Sequence, residues 1–366
     1  MRHFLSLLAL TFCAIWSWAA TVTPPEKIPA YYTNVDGTSE GGLWDALKTA
    51  SKKGYSTLTY KGIWTAFAST DVYPSDSIDK AGKIWDMYGT CDFVYSDDQC
   101  GGYSKECDCY NREHSIPKNW FGAKDEKTNS PGTDLFHIVA TDGSVNNTRS
   151  SYAFGEVPSP TYSYGGSKFG NGGEVSVENT ILGTGSVSKT PGSSVRVFEP
   201  KDEYKGDFAR MYMGTMIRWA NEFAFTSGDG KKIFSGTYTA AYLWGLTEYG
   251  VVLLMKWHRE DPVSQKEIDR NNGVQKTQGN RNPFIDYPYL AEYFWGEKAG
   301  QTVNLNQLMP STDPDFVQGK SNGWRGEEQA INTPESHIDA RKVLIDGLLY
   351  IVVEDHIFNL QGQRIK

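Results

Sequence analysis

Three short stretches of the chain combine residue types that could hydrolyse a phosphodiester bond. They read NREH at positions 111–114, DLFH at 134–137 and VNNTR at 145–149. The reaction needs a base that removes a proton from water, a positive charge near the leaving oxygen, and a group that holds the phosphate in line. Imidazole, carboxylate, carboxamide and guanidinium groups lie close together in these stretches, and they cover all three needs.

Each of these needs has a candidate group. A neutral histidine accepts a proton at physiological pH. Mg²⁺ prefers oxygen ligands and keeps most of its water, so the Glu113 carboxylate and one asparagine side-chain oxygen would suffice as protein ligands. An arginine offers a planar fork of donors to a phosphate. The stretches therefore predict metal-assisted phosphodiester hydrolysis.

A strand, a connection and a short helix would position these groups. If Glu113 and His114 lie on an extended segment, their side chains point to opposite faces and can serve different tasks. If residue 141 or 142 caps a helix, Asn146 and Arg149 stand three positions apart on one face. Residues 113–114 on the strand would then lie opposite residues 146–149 on the helix.

Each of these residues can also be interpreted as having no catalytic role. His137 alternates with apolar Leu135 and Val139, which is typical of a histidine in the core. Asn146 could mark a turn, and Arg149 could be a solvated helix residue. Spacing alone therefore leaves both interpretations open.

Four cysteines, Cys91, Cys100, Cys107 and Cys109, precede the first stretch. An even number in an exported chain predicts two disulfides. A direct Cys107–Cys109 bridge would be strained, so we expect each of them to pair with one upstream cysteine. A zinc site is the alternative, although Cys-x-Cys lacks the usual spacing. Either arrangement would fix the loop before Glu113.

The first 19 residues have the form of a secretory signal peptide. A basic start is followed by an apolar stretch at 4–18 and by Ser17-Trp18-Ala19, which suits signal peptidase. A membrane anchor is the alternative. We expect export to the periplasm, the cell surface or the medium, no stable membrane insertion, and a monomer.

The composition is that of a folded protein with an acidic balance. The 366 residues include 39% hydrophobic and 13% aromatic types, which excludes a disordered chain. There are 36 Lys and Arg against 44 Asp and Glu, a net charge of −8. That balance argues against a uniformly basic coat for nucleic acid but leaves room for a local basic groove.

Hydrophobic spacing predicts several helices and a strand-rich middle. Helices are expected at 43–53, as an amphipathic helix from 206, at 251–257, after a capping box at 264–267, and at 289–295. Residues 159–194 are rich in Gly, Ser, Thr and Tyr, which is typical of strands and loops. The predicted organisation is a catalytic domain at 20–300, a linker at 301–340 and a β tail at 341–366.

Two of the long motifs resemble the signature of the bacterial endonuclease I family. They are YNREHSIPKNWFG at 110–122 and DLFHIVATDGSVNNTRSSYAFGEV at 134–157, and further similar blocks lie at 198–210 and 253–296. The resemblance covers residues 40–298 and implies a ββα-metal, or His-Me finger, nuclease. Members are secreted, cut DNA and often RNA without sequence specificity, use a divalent metal, and leave 5′-phosphates.

The resemblance also implies roles for individual residues. Carried over by motif, Glu113 and Asn146 would bind Mg²⁺, with Mn²⁺ or Ca²⁺ as alternatives, and His114 would be the general base. Arg149 would hold the scissile phosphate. Many relatives carry His and Pro where this chain has Phe136 and Ala140, and substrate preference near Phe136 is therefore in question.

Further residues are predicted to lie in the substrate groove. His137 matches the family pattern and is predicted to bind substrate. Gln278, Asn280 and Arg281 lie in a polar, basic segment that either lines the groove or forms a hydrogen-bonded helix end. The tail at 348–366 resembles the C-terminal sorting segments of Bacteroidetes exported proteins.

The sequence thus predicts an α+β protein with a ββα-metal core in a mainly helical domain and a small β appendage. The predicted function is a secreted, metal-dependent endonuclease with nucleic acid as its substrate. One alternative is a non-catalytic surface protein that binds glycans or peptides. The other is a phosphodiesterase that acts on small nucleotides or lipids.

Overall fold

The computed structural model describes residues 22–122 and 129–326, together with three strands between 340 and 358. The described residues up to Trp324 form one compact unit, and the strands after Arg325 belong to a second unit. The predicted signal peptide lies outside the described residues. Across the described ranges, every helix is too short or too polar to cross a lipid bilayer.

The first unit contains both helices and short strands. Its α-helices are α1 Ile28–Tyr31, α2 Glu40–Lys52, α3 Gly62–Thr70, α4 Gly143–Arg149, α5 Lys205–Trp219, α6 Glu248–Glu260, α7 Gln265–Gln278 and α8 Pro283–Asp286. Its strands are β1 Tyr110–His114, β2 Ile138–Asp142, β3 Ser159–Tyr164, β4 Ser167–Asn171, β5 Val175–Thr180, β6 Gly183–Lys189 and β7 Arg196–Glu199. This mixture confirms the predicted α+β class.

The core is built around α5, which is buried along its whole length. Its aromatic and sulfur side chains pack with those of α6 and with many other aromatic rings in one large hydrophobic cluster. The sequence predicted an amphipathic helix here, with one polar face in solvent. The polar face is instead covered, and its charges are paired: Arg210 donates to Glu267 at 2.6 and 2.7 Å, and Lys266 donates to Asp207 at 2.7 Å.

Strands β1 and β2 form a two-stranded antiparallel sheet, and α4 follows β2 directly. The register places Glu113 opposite Val139 and His114 opposite Ile138. The strand-rich middle of the chain forms two separate sheets. One contains β3, β4 and β7, and the other contains β5 and β6. The order around residues 110–149 is strand, strand, helix. The motif spacing predicted a strand, a connection and a short helix, and the structure shows that the connection contains a second strand, β2.

Most predicted helices agree with the structure. Ser264 forms the expected capping box with Glu267 at the start of α7, and the helix ends at Gly279, whose φ of 93° suits glycine. The aromatic segment near 289–295 forms a 3₁₀ helix, Pro288–Tyr293, instead of an α-helix. Short turns of this kind are common where prolines start the segment.

Most of the segment predicted to be a linker, residues 301–324, is part of the first unit. The Ser311 N–H donates to the Asp286 carbonyl and the Gly319 N–H donates to the Val263 carbonyl, each at 2.8 Å. Phe316 is buried beside Val263. The polar, Pro-containing composition suggested a linker, but a few apolar side chains and backbone hydrogen bonds are enough to attach this segment.

The second unit contains three strands, β8 Ala340–Ile345, β9 Leu348–Val353 and β10 His356–Phe358. They form one antiparallel sheet in the order β10-β9-β8. This agrees with the hairpin pattern predicted for the tail. The remainder of the predicted linker, at 327–339, lies outside the described residues.

Candidate active site

One side chain fixes the start of α4 and links it to the cysteine loop. The Asp142 Oδ1 atom accepts the N–H groups of Ser144 and Val145 at 2.7 and 3.0 Å, which caps the helix. The Asp142 Oδ2 atom accepts the Cys107 N–H at 2.5 Å. Residues 141 and 142 were the two candidate caps, and the structure shows that Asp142 caps the helix. This cap sets the position of Asn146 and Arg149 on the helix.

A cleft of about 410 Å³ lies where β1 meets α4. It is lined by Tyr60, Asn111, Arg112, Glu113, His114, Pro117, Lys118, Asn119, Asn146, Arg149, Ser150 and Ser151. Glu113, His114, Asn146 and Arg149, the four residues predicted to carry the chemistry, all lie in this one cleft. Adjacent residues on β1 therefore both reach the same site.

Two donors fix one oxygen of Glu113. The Glu113 Oε1 atom accepts the Tyr88 hydroxyl at 2.8 Å and the Arg149 Nη1 group at 2.9 Å. Burial raises the pKa of the Glu113 carboxyl, and the Arg149 charge and the Tyr88 hydrogen bond oppose that rise. Burial also raises the pKa of Tyr88 well above its usual value, so the phenol remains a donor.

Arg149 lies at the floor of the cleft and is 1% exposed. Besides Glu113, its Nη1 group donates to the His114 carbonyl at 3.0 Å. Its Nη2 group donates to the Ser115 carbonyl at 2.5 Å and to the Tyr212 hydroxyl at 3.3 Å. The guanidinium therefore links α4 to the end of β1 and orients the Glu113 carboxylate.

The hydrogen bond of His114 identifies which ring nitrogen can act as a base. Its Nε2 atom lies 3.1 Å from the Gly132 carbonyl oxygen, which can only accept. Nε2 therefore carries the hydrogen, and Nδ1 keeps the lone pair of the neutral ring. Burial, with the nearby His137, lowers the pKa of His114 well below its usual value. The imidazole is therefore neutral at physiological pH and can accept a proton.

The donor set of the cleft fits a hard divalent cation. Within the described part of the chain, no group donates a hydrogen bond to Glu113 Oε2 or forms one with the Asn146 side chain. A carboxylate and a carboxamide oxygen are ligands that Mg²⁺, Mn²⁺ or Ca²⁺ accept, and Mg²⁺ needs few protein ligands. Glu113 and Asn146 are thus available to hold such an ion.

The cysteines form the two disulfides Cys91–Cys107 and Cys100–Cys109. This pairing confirms the expectation that each downstream cysteine bonds to one upstream cysteine. Cys91, Cys107 and Asp142 form a group of potential metal ligands. Because the two sulfurs are bonded to each other, they are not thiolates, and the alternative of a zinc site is excluded.

His137 is in the interior, although it was predicted to contact substrate. The side chain is fully buried, its Nε2 lies 2.7 Å from the Pro131 carbonyl, and its Nδ1 accepts the Ile116 N–H at 3.4 Å. Burial lowers its pKa to about 4. Its ring lies at 5.9 Å from the His114 ring, so it packs behind the site and stabilises it.

Gln278, Asn280 and Arg281 are also interior and do not line the cleft. All three are fully buried. Gln278 bonds to Asp134 and to the Leu135 N–H, and Asn280 donates to the Ser51 carbonyl. Arg281 forms a bidentate pair with Asp286 at 2.7 and 2.8 Å. Because the C-terminal end of α7 is covered by other segments, these side chains form the hydrogen-bonded helix end that was the alternative interpretation.

Sequence reasoning did not identify Tyr60, Tyr88 or Tyr212 as parts of the site. Tyr60 lines the cleft, Tyr88 bonds to Glu113, and Tyr212 contacts Arg149 and donates to the Ser115 carbonyl at 2.6 Å. They come from segments far from residues 110–149 in the sequence. Among 21 tyrosines, nothing in the local sequence distinguishes these three.

Comparisons with known proteins identify the family of this chain. The model of the family described as Endonuclease I matches residues 43–289. An extracellular ribonuclease of Bacillus amyloliquefaciens is 30% identical over 287 residues, 76% of this chain and 82% of that protein. An extracellular ribonuclease of Bacillus subtilis strain 168 is 27% identical over 297 residues, 77% of this chain and 84% of that protein. With a match that spans most of the chain and includes every residue of the cleft, this chain belongs to the Endonuclease I family.

Proposed function

We propose that this chain is a secreted nuclease of the His-Me finger type that hydrolyses phosphodiester bonds in nucleic acid without sequence specificity. The observation that carries this proposal is the His114 imidazole, whose Nε2–H faces the Gly132 carbonyl, beside Glu113 and Asn146 in one cleft. An imidazole supplies the base, and the oxygen groups supply a site for a cation. The order of β1, β2 and α4 supports the ββα-metal assignment.

In this mechanism, His114 Nδ1 takes a proton from the water that attacks phosphorus. The Gly132 carbonyl accepts a hydrogen bond from Nε2–H and so keeps Nδ1 unprotonated before the reaction. The same carbonyl stabilises the imidazolium that forms. Loss of the 3′ oxygen as the leaving group would give products with 5′-phosphates.

Glu113 Oε2 and Asn146 would hold a divalent cation, Mg²⁺ or else Mn²⁺ or Ca²⁺. When bound, such a cation supplies the positive charge that neutralises the leaving oxygen. Tyr88 and Arg149 hold the other oxygen of Glu113 and so fix the direction in which the carboxylate points. These hydrogen bonds keep the Glu113 carboxylate, the proposed metal ligand, oriented in the absence of substrate.

Arg149 would have two tasks in this proposal. Its contacts with Glu113 and with backbone carbonyls make it an orienting residue. Arg149 lines the cleft, and this supports the predicted contact with the scissile phosphate. Its four Nη hydrogens are donated to protein groups, so a phosphate would take the buried Nε–H, which has no partner among the described residues, or would displace one of the present bonds.

The substrate and the location are inferred from separate observations. The names of the two relatives support RNA as a substrate, and the family name leaves DNA equally open. Two disulfides support export, because they persist in oxidising compartments. The extracellular relatives point in the same direction.

The test uses purified protein with plasmid DNA and with a long RNA, each with Mg²⁺ and with EDTA. We expect cleavage of at least one polymer with Mg²⁺, its loss with EDTA, and its recovery when Mg²⁺ is restored. The His114→Gln variant, with the fold checked by circular dichroism, is the control for a contaminating nuclease. Mn²⁺ and Ca²⁺ are tested in the same way as Mg²⁺. If the wild-type protein cleaves neither polymer with any of these three cations, the proposal is refuted.

A further inference from the structure

The turn that follows α4 holds Ser150 in a backbone conformation that favours glycine. Its φ and ψ are 52° and −121°, which are the values of the first central position of a type II′ turn, where glycine is preferred. The Tyr152 N–H donates to the Arg149 carbonyl at 3.2 Å and closes this turn. A serine here is strained, because its Cβ disfavours positive φ, whereas glycine has no such penalty. This strained serine lines the cleft.

The residues around Ser150 keep it in this conformation. Its own N–H donates to the Asn146 carbonyl at 2.9 Å, and the carbonyl of the next residue, Ser151, accepts the Trp120 Nε1–H at 3.1 Å. Trp120 and Arg149 are both buried, so neither side of the turn can shift without breaking contacts in the interior. Strained residues that their surroundings hold in place cluster at ligand sites, so the turn points to a role for the Ser150 side chain.

The hydroxyl of Ser150 is available as a hydrogen-bond donor beside the residue that is predicted to hold the phosphate. Arg149 already forms four hydrogen bonds to protein groups through Nη1 and Nη2, which leaves little of its donor capacity for a ligand. The Ser150 side chain is exposed in the cleft, and among the described residues no group forms a hydrogen bond with its hydroxyl. A serine hydroxyl rotates freely and donates well to an anionic oxygen.

We infer that Ser150 is a substrate-binding residue whose hydroxyl donates a hydrogen bond to a non-bridging oxygen of the scissile phosphate. The inference rests on the proposed function and adds a neutral donor to the groups that hold the phosphate. Glycine would relax the turn but has no hydroxyl, so binding explains a serine at this position and stability does not.

Two variants separate the hydroxyl from the backbone strain. Ser150→Ala removes the hydroxyl and keeps the strain, whereas Ser150→Gly removes both. With Mg²⁺ and a long oligonucleotide as substrate, we expect kcat/KM to fall about 10-fold in both variants, as for one lost hydrogen bond to a charged group. The melting temperature should rise by about 1–2 °C in Ser150→Gly and should not rise in Ser150→Ala.

Ser194→Gly is the matched control. Ser194 also has a positive φ, of 58°, but it is exposed on a turn that does not line the cleft. Relaxing this turn should raise the melting temperature by a similar amount and leave kcat/KM unchanged.

Replacing one non-bridging oxygen by sulfur tests the contact itself. Two versions of the oligonucleotide carry phosphorothioates of a single configuration, all Rp or all Sp, and sulfur accepts a hydrogen bond more weakly than oxygen. In the version whose sulfur faces the hydroxyl, the loss of kcat/KM caused by sulfur should be smaller for Ser150→Ala than for the wild-type protein. In the other version the loss should be equal for the two proteins.

Three results would overturn the inference. The first is an unchanged kcat/KM in folded Ser150→Ala, and the second is a fall in Ser150→Gly alone, because backbone freedom would then explain it. The third is an equal effect of sulfur on both proteins in both versions. If the wild-type protein does not cleave the oligonucleotide with Mg²⁺, Mn²⁺ or Ca²⁺, the proposed function fails. The phosphate contact is then decided by the Kd for the oligonucleotide in EDTA, which Ser150→Ala should raise about 10-fold and which overturns the inference if it is unchanged.

Discussion

Replacing Arg149 by methionine should destabilise the protein strongly, because it would leave the buried Glu113 carboxylate without its cation. Both side chains are almost fully buried and lie 2.9 Å apart. Removal of one partner from a buried ion pair typically costs about 3–5 kcal/mol, since the remaining charge has no compensation. The carbonyls of His114 and Ser115 would lose a charged donor as well.

A double variant separates the energetic effect of the unpaired Glu113 charge from that of the lost Arg149 packing. In Arg149→Met combined with Glu113→Gln, the uncompensated charge is gone, and we expect recovery of about 1–3 kcal/mol relative to the additive sum. Arg196→Met is the matched control, because Arg196 is exposed on β7. Its effect should stay within about 0.5 kcal/mol.

The assay is equilibrium unfolding in urea, read by tryptophan fluorescence and by circular dichroism. Activity on the long oligonucleotide is measured on the same preparations. If Arg149→Met is as stable as the wild-type protein, the guanidinium does not hold Glu113 and the described site geometry is wrong. If stability falls while kcat/KM of the folded fraction is unchanged, Arg149 holds the carboxylate but does not bind the scissile phosphate.

Three other perturbations test separate parts of the site and the fold. His114→Gln should lower kcat about 10²–10⁴-fold, as for loss of a general base, and an unchanged rate in a folded variant would remove that role. Mg²⁺ at 100 times its Kd should raise the free energy of unfolding of the wild-type protein by about 2.7 kcal/mol, measured in thermal melts, and should not stabilise Asn146→Ala. If Mg²⁺ stabilises both proteins equally, the ion binds elsewhere. Burial, reinforced by Asp207, raises the pKa of Asp261 to about 8. In the folded protein the Asp261 carboxyl therefore keeps a proton that it releases near pH 4 in the unfolded chain. The stability that this protonated carboxyl contributes is lost as the pH rises through about 8. Asp261→Asn should thus lose less stability than the wild-type protein between pH 5 and pH 9, and parallel pH profiles would contradict this.

The sequence predicted the centre of the site because its parts are close in the chain. Residues 110–149 contain both strands, the cap and the helix, so the short connections in this stretch bring Glu113 and His114 opposite Asn146 and Arg149. For the cysteines, the sequence predicted only that Cys107 and Cys109 each bond to an upstream cysteine, and it left open which one. Local signals such as the capping box at Ser264 also determine helix ends without distant contacts.

The structural features that the sequence could not predict depend on contacts between segments that are far apart in the sequence. A polar stretch at 278–281 could face solvent or interior, and the choice depends on which elements cover the end of α7. The same applies to α5, whose polar face is covered because Glu267 and Lys266 supply partners for its charges. Two of the four hydrogen-bond partners of Arg149 are backbone carbonyls, and every residue type has a carbonyl, so no sequence pattern marks them.

The bond between Asp142 and the Cys107 amide ties the cap of α4 to the cysteine loop. The carboxylate that caps α4 is held from its other side by a loop closed through the Cys91–Cys107 bridge. If that bridge is reduced, the loop gains freedom and Asp142 is held from one side only. Cleavage by the proposed nuclease should therefore depend on the oxidation state of this cysteine pair.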